Sequence, residues 1–349
     1  MIYFDVTKFA SAGHRSGLTR VSTRLRDELG AAVQPVAWTN WDRAVAKDDW
    51  FLTCELFSEA ERPGFWKFLK NPPCQLAAMF NDAIPLKLPH VTWPHSVARH
   101  PEYLKMLASF DRVLAISEAS RRELVEFWRW QGVEPRAKVE TILLGADFDG
   151  APRAPLISNF RPVRRAQGRS EISNLLLCVG IIEPRKNQTF LLEVCAELWR
   201  EGLAFELHLV GRVNPHFGRP IAKKIRLLQK EFPGLHFHEA ADDRTVGELY
   251  GRARANVYPT LAEGCGLPLL ESLWRGVPCV CSDLPVLREN ADAGGCLAVA
   301  PNDVAAWKSA LRAVLTNPAV GQKLQAEAAA RTLPRWADTA AELRKALGA

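Results

Sequence analysis

Tyr258-Pro-Thr-Leu-Ala-Glu263-Gly-Cys-Gly266-Leu-Pro-Leu-Leu-Glu271 joins a strand-like run, Ala255–Pro259, to a helix-like run near 267–275. Gly264 and Gly266 let the backbone approach a ligand closely. Pro268 suits a first helical turn, where its missing N–H leaves no bond unmade. A helix N-terminus fed by such a loop presents free N–H groups and positive dipole character, which makes it an anion site. The ligand-binding set read here is Gly264, Cys265, Gly266, Leu267 and Glu271, with Glu271 placed to accept the vicinal hydroxyls of a ribose. Glu263, beside the phosphates, is placed to accept hydroxyls of whatever they carry. The same residues fit a plain tight turn with Glu271 as a solvated helix residue. Two glutamates eight positions apart around Gly-x-Gly-Leu-Pro favour the ligand site.

Outward from this turn, strand-like runs (Leu175–Ile181, Phe205–Val210, Leu235–His238, Pro278–Ser282, Gly295–Val299) alternate with helical patterns near 189–200, 220–231, 244–252 and 303–315. Strands separated by helices of that size imply right-handed βαβ units on a parallel sheet. The first 150 residues repeat the alternation: strands at Ile2–Val6, Val33–Trp38, Trp50–Cys54, Gln75–Phe80, Arg112–Ile116 and Lys138–Leu144, and a helix from about Thr19 to Leu29. Ser120 and Glu123 read as a capping box for a helix through Trp130.

The chain has 349 residues, 48% of them apolar, and a formal charge of +6. That length suggests two domains, and the composition is that of a globular chain. The charge is local: residues 151–173 hold five arginines against one glutamate, while 1–150 sum to zero. Charge gathered in one short segment weakens a nucleic-acid reading, which wants a broad basic face. The fold class read from these patterns is α/β, with two Rossmann-like domains facing across a cleft: 1–150, a Pro/Arg-rich linker 151–173, and 174–330. A helix at 331–349 is expected to pack back on the first domain. The eight cysteines contain no CxxC pair and read as buried reduced thiols, no secretory leader or bilayer-spanning run is expected, and the expected location is cytoplasmic.

Glu263 and Glu271 with the turn between them resemble the E-x7-E signature of retaining GT-B glycosyltransferases of the large fourth family, whose motif usually reads E-G-F-G-L-P-x-L-E. Cys265 replaces its Phe. Gly180-Ile-Ile-Glu183-Pro-Arg185-Lys186-Asn187 is similar to the G-x-x-E-P-R-K-N turn of the mannosyltransferase-like branch. Asn81-Asp82-Ala-Ile-Pro85 resembles its H-D-x-I-P turn, with Asn81 in place of the His. Gly13 and Ser16-Gly17-Leu18-Thr19-Arg20 look like the first βα loop, Gly145-Ala-Asp147 like a G-V-D turn, and Trp336 like the closing segment.

The resemblance implies hexose transfer from a nucleoside diphosphate sugar to an acceptor hydroxyl with retention. The branch points to GDP-mannose or a related deoxyhexose such as rhamnose, and to a glycan or lipid-linked glycan acceptor in bacterial polysaccharide synthesis. Catalytic residues are then Glu263, Lys186, Arg185 and Asp82, and Gly17 and Gly180 join the donor set. A peripheral contact with the cytoplasmic membrane face is also implied. A turn or capping role fits Asp82 nearly as well. Asp147-Phe-Asp149 is a D-x-D string, but it lies apart from the other motifs and basic residues already serve the diphosphate, so no metal or other cofactor is expected. His95 and His100 read as loop residues, and Glu289 either faces the nucleotide or lies on the surface. Asn81 and Cys265 leave a catalytically silent nucleotide-sugar-binding protein as the alternative. A nicotinamide-dependent oxidoreductase is disfavoured, since no G-x-G-x-x-G follows the first strand.

Overall fold

The computed structural model describes residues 1–8, 17–41, 44–147, 153 and 174–348. It divides into two compact units, Met1–Gly145 with Pro334–Ala349, and Ala146–Leu333.

The first unit is a sheet of six parallel strands in the order β2-β1-β3-β4-β5-β6. Its elements run β1 (Ile2–Asp5), α1 (Gly17–Leu29), β2 (Val33–Val36), β3 (Trp50–Thr53), α2 (Phe65–Lys70), β4 (Gln75–Phe80), α3 (Ile84–Lys87), α4 (Pro94–Leu107), β5 (Arg112–Ala115), α5 (Glu118–Trp130) and β6 (Lys138–Thr141). Strands β1 and β3 are buried along their whole length, as a doubly covered parallel sheet requires. Edge-to-face aromatics fill one side of the core: Phe51, Phe57, Phe65 and Tyr103 are buried, and Trp38 and Trp41 pack on Phe51.

Two expectations change here. The α5 cap is Ser117, whose Oγ accepts the Ser120 N–H at 3.0 Å, so the helix starts ahead of the Ser120–Glu123 pair. His95 and His100 lie on α4 rather than in a loop, and His100 is buried. Two prolines, at the start and inside α4, hide its helical pattern.

The second unit runs β7 (Leu175–Val179), α6 (Gln188–Arg200), β8 (Glu206–Val210), α7 (Arg219–Glu231), β9 (Leu235–His238), α8 (Asp243–Arg252), β10 (Ala253–Tyr258), α9 (Leu267–Trp274), β11 (Cys279–Ser282), α10 (Pro285–Ala291), β12 (Cys296–Val299), α11 (Val304–Thr316) and α12 (Pro318–Ala330). All six strands are parallel, in the order β12-β11-β10-β7-β8-β9. Alternation along β7 sends Leu176 and Cys178 into a core with α6 and α11, and Leu175 and Leu177 into a second core with α8.

Both sheets are doubly wound. The second has the Rossmann order, with its reversal between β7 and β10; the first has the flavodoxin-like order, with its reversal between β1 and β3. Crevices outside the carboxyl ends of strands at such reversals are where open α/β sheets bind ligands.

The last helix, α13 (Trp336–Leu347), belongs to the first unit and packs on α1. Gly145 makes this possible, because a Cβ there would lie 2.6 Å from the Trp336 Cγ. Thr339 also donates its hydroxyl to the Leu143 carbonyl at 2.8 Å. Arg331 stays with the second unit, where its guanidinium donates to the Asn290 and Gly294 carbonyls. Of the Pro/Arg-rich stretch 151–173 only Arg153 is among the described residues, and its guanidinium donates to the Ala328 and Arg331 carbonyls. No helix among the described residues is long and apolar enough to cross a membrane.

Candidate active site

The turns after β7 and β10 meet at the second sheet's reversal. After β7 the chain passes Gly180 into a 3-10 turn at Pro184–Lys186, and α6 then starts behind Asn187 in the left-handed conformation. After β10 it runs through Thr260 and Glu263 to α9. Gly266 precedes α9 at φ +85°, and a Cβ there would meet Leu287 Cδ2 at 2.5 Å, so both backbone and space call for glycine. The two turns are bonded: Leu261 N–H donates to the Arg185 carbonyl at 2.9 Å.

Glu263 is the hub. Its Oε1 lies 2.6 Å from Lys186 Nζ, 3.2 Å from Arg185 Nη1 and 2.6 Å from Thr260 Oγ1. Lys186 Nζ is also 3.0 Å from the Tyr258 hydroxyl. Arg185 donates to the Ala262 carbonyl at 2.8 Å and to Glu183 Oε1 at 2.6 Å, while Asn214 Nδ2 holds the other Glu183 oxygen at 2.9 Å. Burial alone would raise the Glu263 carboxyl pKa. Lys186 and Arg185 overcome it and hold the group down at about 2, so Glu263 is an anion at every physiological pH. Burial lowers the Lys186 pKa against the pull of Glu263.

The side chains of Glu263, Lys186 and Arg185 keep 9%, 11% and 19% exposure. The site is thus a preset group of donors with a small opening. Such a group can meet a phosphate oxygen with two cations and can accept hydroxyls with one carboxylate.

The remaining expected residues are placed as follows. Gly264, Cys265 and Gly266 are buried in the loop before α9, and Leu267 opens the helix. The Cys265 thiol is pushed up to about 12 by burial, so it is an inert small side chain where related motifs carry Phe. Glu271 is buried within α9. Gly180 lies against the Lys186 stem, where a Cβ would be 3.7 Å from its Cε. In the first unit, Gly17 opens α1 and is exposed. Asp82 Oδ1 accepts the Ile84 N–H at 3.0 Å, its carbonyl faces His100 Nε2 at 3.1 Å, and the Asn81 carbonyl accepts Ser120 Oγ at 2.8 Å. Glu289 is exposed on α10. Gly13 and Ser16 of the first βα loop, and Phe148 and Asp149 of the D-x-D string, lie outside the described residues.

The supporting shell was not read from the sequence: Thr260, Tyr258 and Asn214 orient the charged groups. Asn214 stands 31 positions from its partner Glu183 and carries no local signal.

Residues 173–317 match the family model described as Glycosyl transferases group 1. Two Escherichia coli relatives agree. The chain is 29% identical over 278 residues to the serotype-specific mannosyltransferase WbdA, covering 78% of this chain and 33% of that protein. It is 30% identical over 201 residues to the O-antigen chain mannosyltransferase B, covering 57% of this chain and 50% of that one. The chain thus spans about a third to a half of these relatives. The fold matches Anabaena HepE, solved with UDP and glucose, with a TM-score of 0.70 at 13% identity over 99% of both chains. The GT-B fold and the family resemblance read from the sequence therefore hold.

Proposed function

We propose that this chain is a retaining glycosyltransferase that moves a hexose from a nucleoside diphosphate sugar to a hydroxyl of a glycan or lipid-linked glycan acceptor in surface polysaccharide synthesis. The donor is GDP-mannose or a GDP-activated deoxyhexose such as rhamnose, and the reaction needs no metal or other cofactor. The acceptor is met at the cytoplasmic face of the membrane. The observation that carries this reading is the half-buried Glu263 joined to Lys186 and Arg185 at the β7/β10 reversal.

As the glycosidic bond breaks, its electron pair leaves with the diphosphate. Lys186 Nζ, the Arg185 guanidinium and the backbone N–H groups around Gly264–Leu267 stabilise that developing charge, and donors fixed in advance do so without reorganising. Tyr258 and Glu183 hold the two cations in place, and Thr260 fixes the Glu263 carboxylate that they share. Glu263 orients the sugar hydroxyls, and Glu271 accepts the ribose. The acceptor attacks from the leaving-group side, and its proton passes to the departing phosphate oxygen, so no protein base is required. Asp82, in the first unit, serves the acceptor.

The mannosyltransferase names of both relatives support the sugar. The Glu183-Pro-Arg185-Lys186-Asn187 turn supports the GDP base. A panel of nucleotide sugars, scored by nucleotide released in the presence of acceptor, tests the reading. GDP-mannose is expected to turn over. Turnover of UDP-glucose with no GDP-sugar accepted would overturn the donor assignment.

A further inference from the structure

β8 and β9 are neighbours with His208 opposite His236. Side chains alternate along a strand, so Glu206 and His208 share one face of β8, and His236 and His238 share that face of β9. On the other face Leu207, Leu209 and Leu235 are buried in the apolar core. The polar face thus gathers three imidazoles and a carboxylate on two adjacent strands, all outside the Glu263 site.

The groups converge. One ligand atom each from Glu206, His208 and His236 lie within 4.8 Å of one another. His208 Nε2 is 3.0 Å from Glu206 Oε2, and its Nδ1 is 3.0 Å from His238 Nε2. The His208 ring centroid is 4.4 Å from that of His236 and 5.1 Å from that of His238. His208 is 5% exposed. Burial lowers the pKa of His208 to about 4 against the pull of Glu206, with His236 and His238 pushing the same way as burial. Burial and His236 also lower that of His238. From α8, Arg252 Nη2 reaches Glu206 Oε2 at 3.6 Å, and an arriving cation competes with it.

We propose that Glu206, His208 and His236, with His238 beside them, bind one zinc-class divalent transition ion that ties the edge strand β9 to β8. Imidazole with one carboxylate suits zinc, nickel or copper, whereas magnesium and calcium favour all-oxygen sets. Zinc–ligand bonds of about 2.0–2.1 Å require the donor atoms to close in slightly, which the half-buried Glu206 and His236 side chains can do by rotation. The ion is structural and separate from glycosyl transfer, since the residues assigned to the donor follow β7 and β10.

The test uses the full chain after dialysis against a chelator. Zn²⁺ is titrated by calorimetry, and Co²⁺ is followed by visible absorption. The expected result is one ion per chain, a Co²⁺ spectrum without a thiolate charge-transfer band, and a Zn²⁺-dependent rise in Tm. His236→Asn is expected to weaken Zn²⁺ binding by more than about tenfold and to remove the Tm rise. It is half-buried on an edge strand, and its metal-free Tm checks that it folds; His208→Asn repeats the test from the buried ligand. Unchanged Zn²⁺ affinity in folded His236→Asn, a cobalt–thiolate band, or no saturable binding to the wild type would overturn the proposal.

Discussion

The two sheets each reverse their strand order once, and the two reversals carry different chemistry. Beside β1 and β3, Arg62 is wholly buried. Its Nη2 lies 2.5 Å from Asp5 Oδ2 and 2.6 Å from Glu55 Oε2, and its guanidinium sits 3.7 Å over the Phe57 ring. Thr53 Oγ1 donates to Asp5 at 2.6 Å, and the Lys8 N–H to Glu55 at 2.7 Å. Beside β7 and β10, Arg185 and Lys186 also face two carboxylates, Glu183 and Glu263. The first cluster sets one cation against two carboxylates and the second sets two against two, and access separates them further. Asp5, Glu55 and Arg62 have exposures of 1% or less, whereas the four groups of the second cluster keep 9–19%. A buried ion cluster closed to solvent holds a fold in register; one with an opening can exchange a partner for a ligand.

Substitutions at the two clusters are expected to separate activity from stability. Lys186→Met removes a cation from the departing diphosphate, and kcat is expected to fall about 10²–10³-fold. Its Tm is expected to fall less than that of Arg62→Met, because Glu263 keeps Arg185 and Thr260. Arg62→Met does the reverse: it strands two buried carboxylates and is expected to cost about 3–5 kcal/mol in denaturant unfolding. Equal stability loss in both variants would break the distinction.

The pH dependence sharpens the same comparison. Glu263 is depressed from 4.5 to about 2 by Lys186 and Arg185, which outweigh its burial. Its contribution to stability is therefore complete above pH 4.5 and is lost as pH falls toward 2. In Lys186→Met the carboxyl pKa rises, so the acid midpoint of unfolding is expected to shift to higher pH. An acid limb identical to wild type would contradict the pairing. The smallest effect is expected at Asp82. Asp82→Asn keeps the bond from the Ile84 N–H, and if the leaving phosphate takes the acceptor proton, turnover should fall far less than the 10²–10⁴-fold typical of a lost general base.

Much of this was legible in the sequence because the signals are local. Runs such as Leu175–Val179 are apolar throughout, as central parallel strands must be. Glu263, Arg185 and Lys186 stood out because two short turns each carry charge beside a glycine or a proline. The cap at Ser117 was missed because a second serine three residues on offers the same chemistry. The strand order of the first sheet follows from tertiary pairing, and no local run encodes it. Thr260 and Tyr258 were in plain view, yet their distant partners, Arg185 and Lys186, stand 75 and 72 positions away.

The central claim is that Lys186, held by Glu263, takes the charge of a departing nucleoside diphosphate. The most direct measurement is GDP release from GDP-mannose with acceptor, for wild type and Lys186→Met at matched folded protein. Acceptor-dependent release by wild type and a loss of at least about 100-fold in the variant is the predicted result. Release by the variant at the wild-type rate would contradict it.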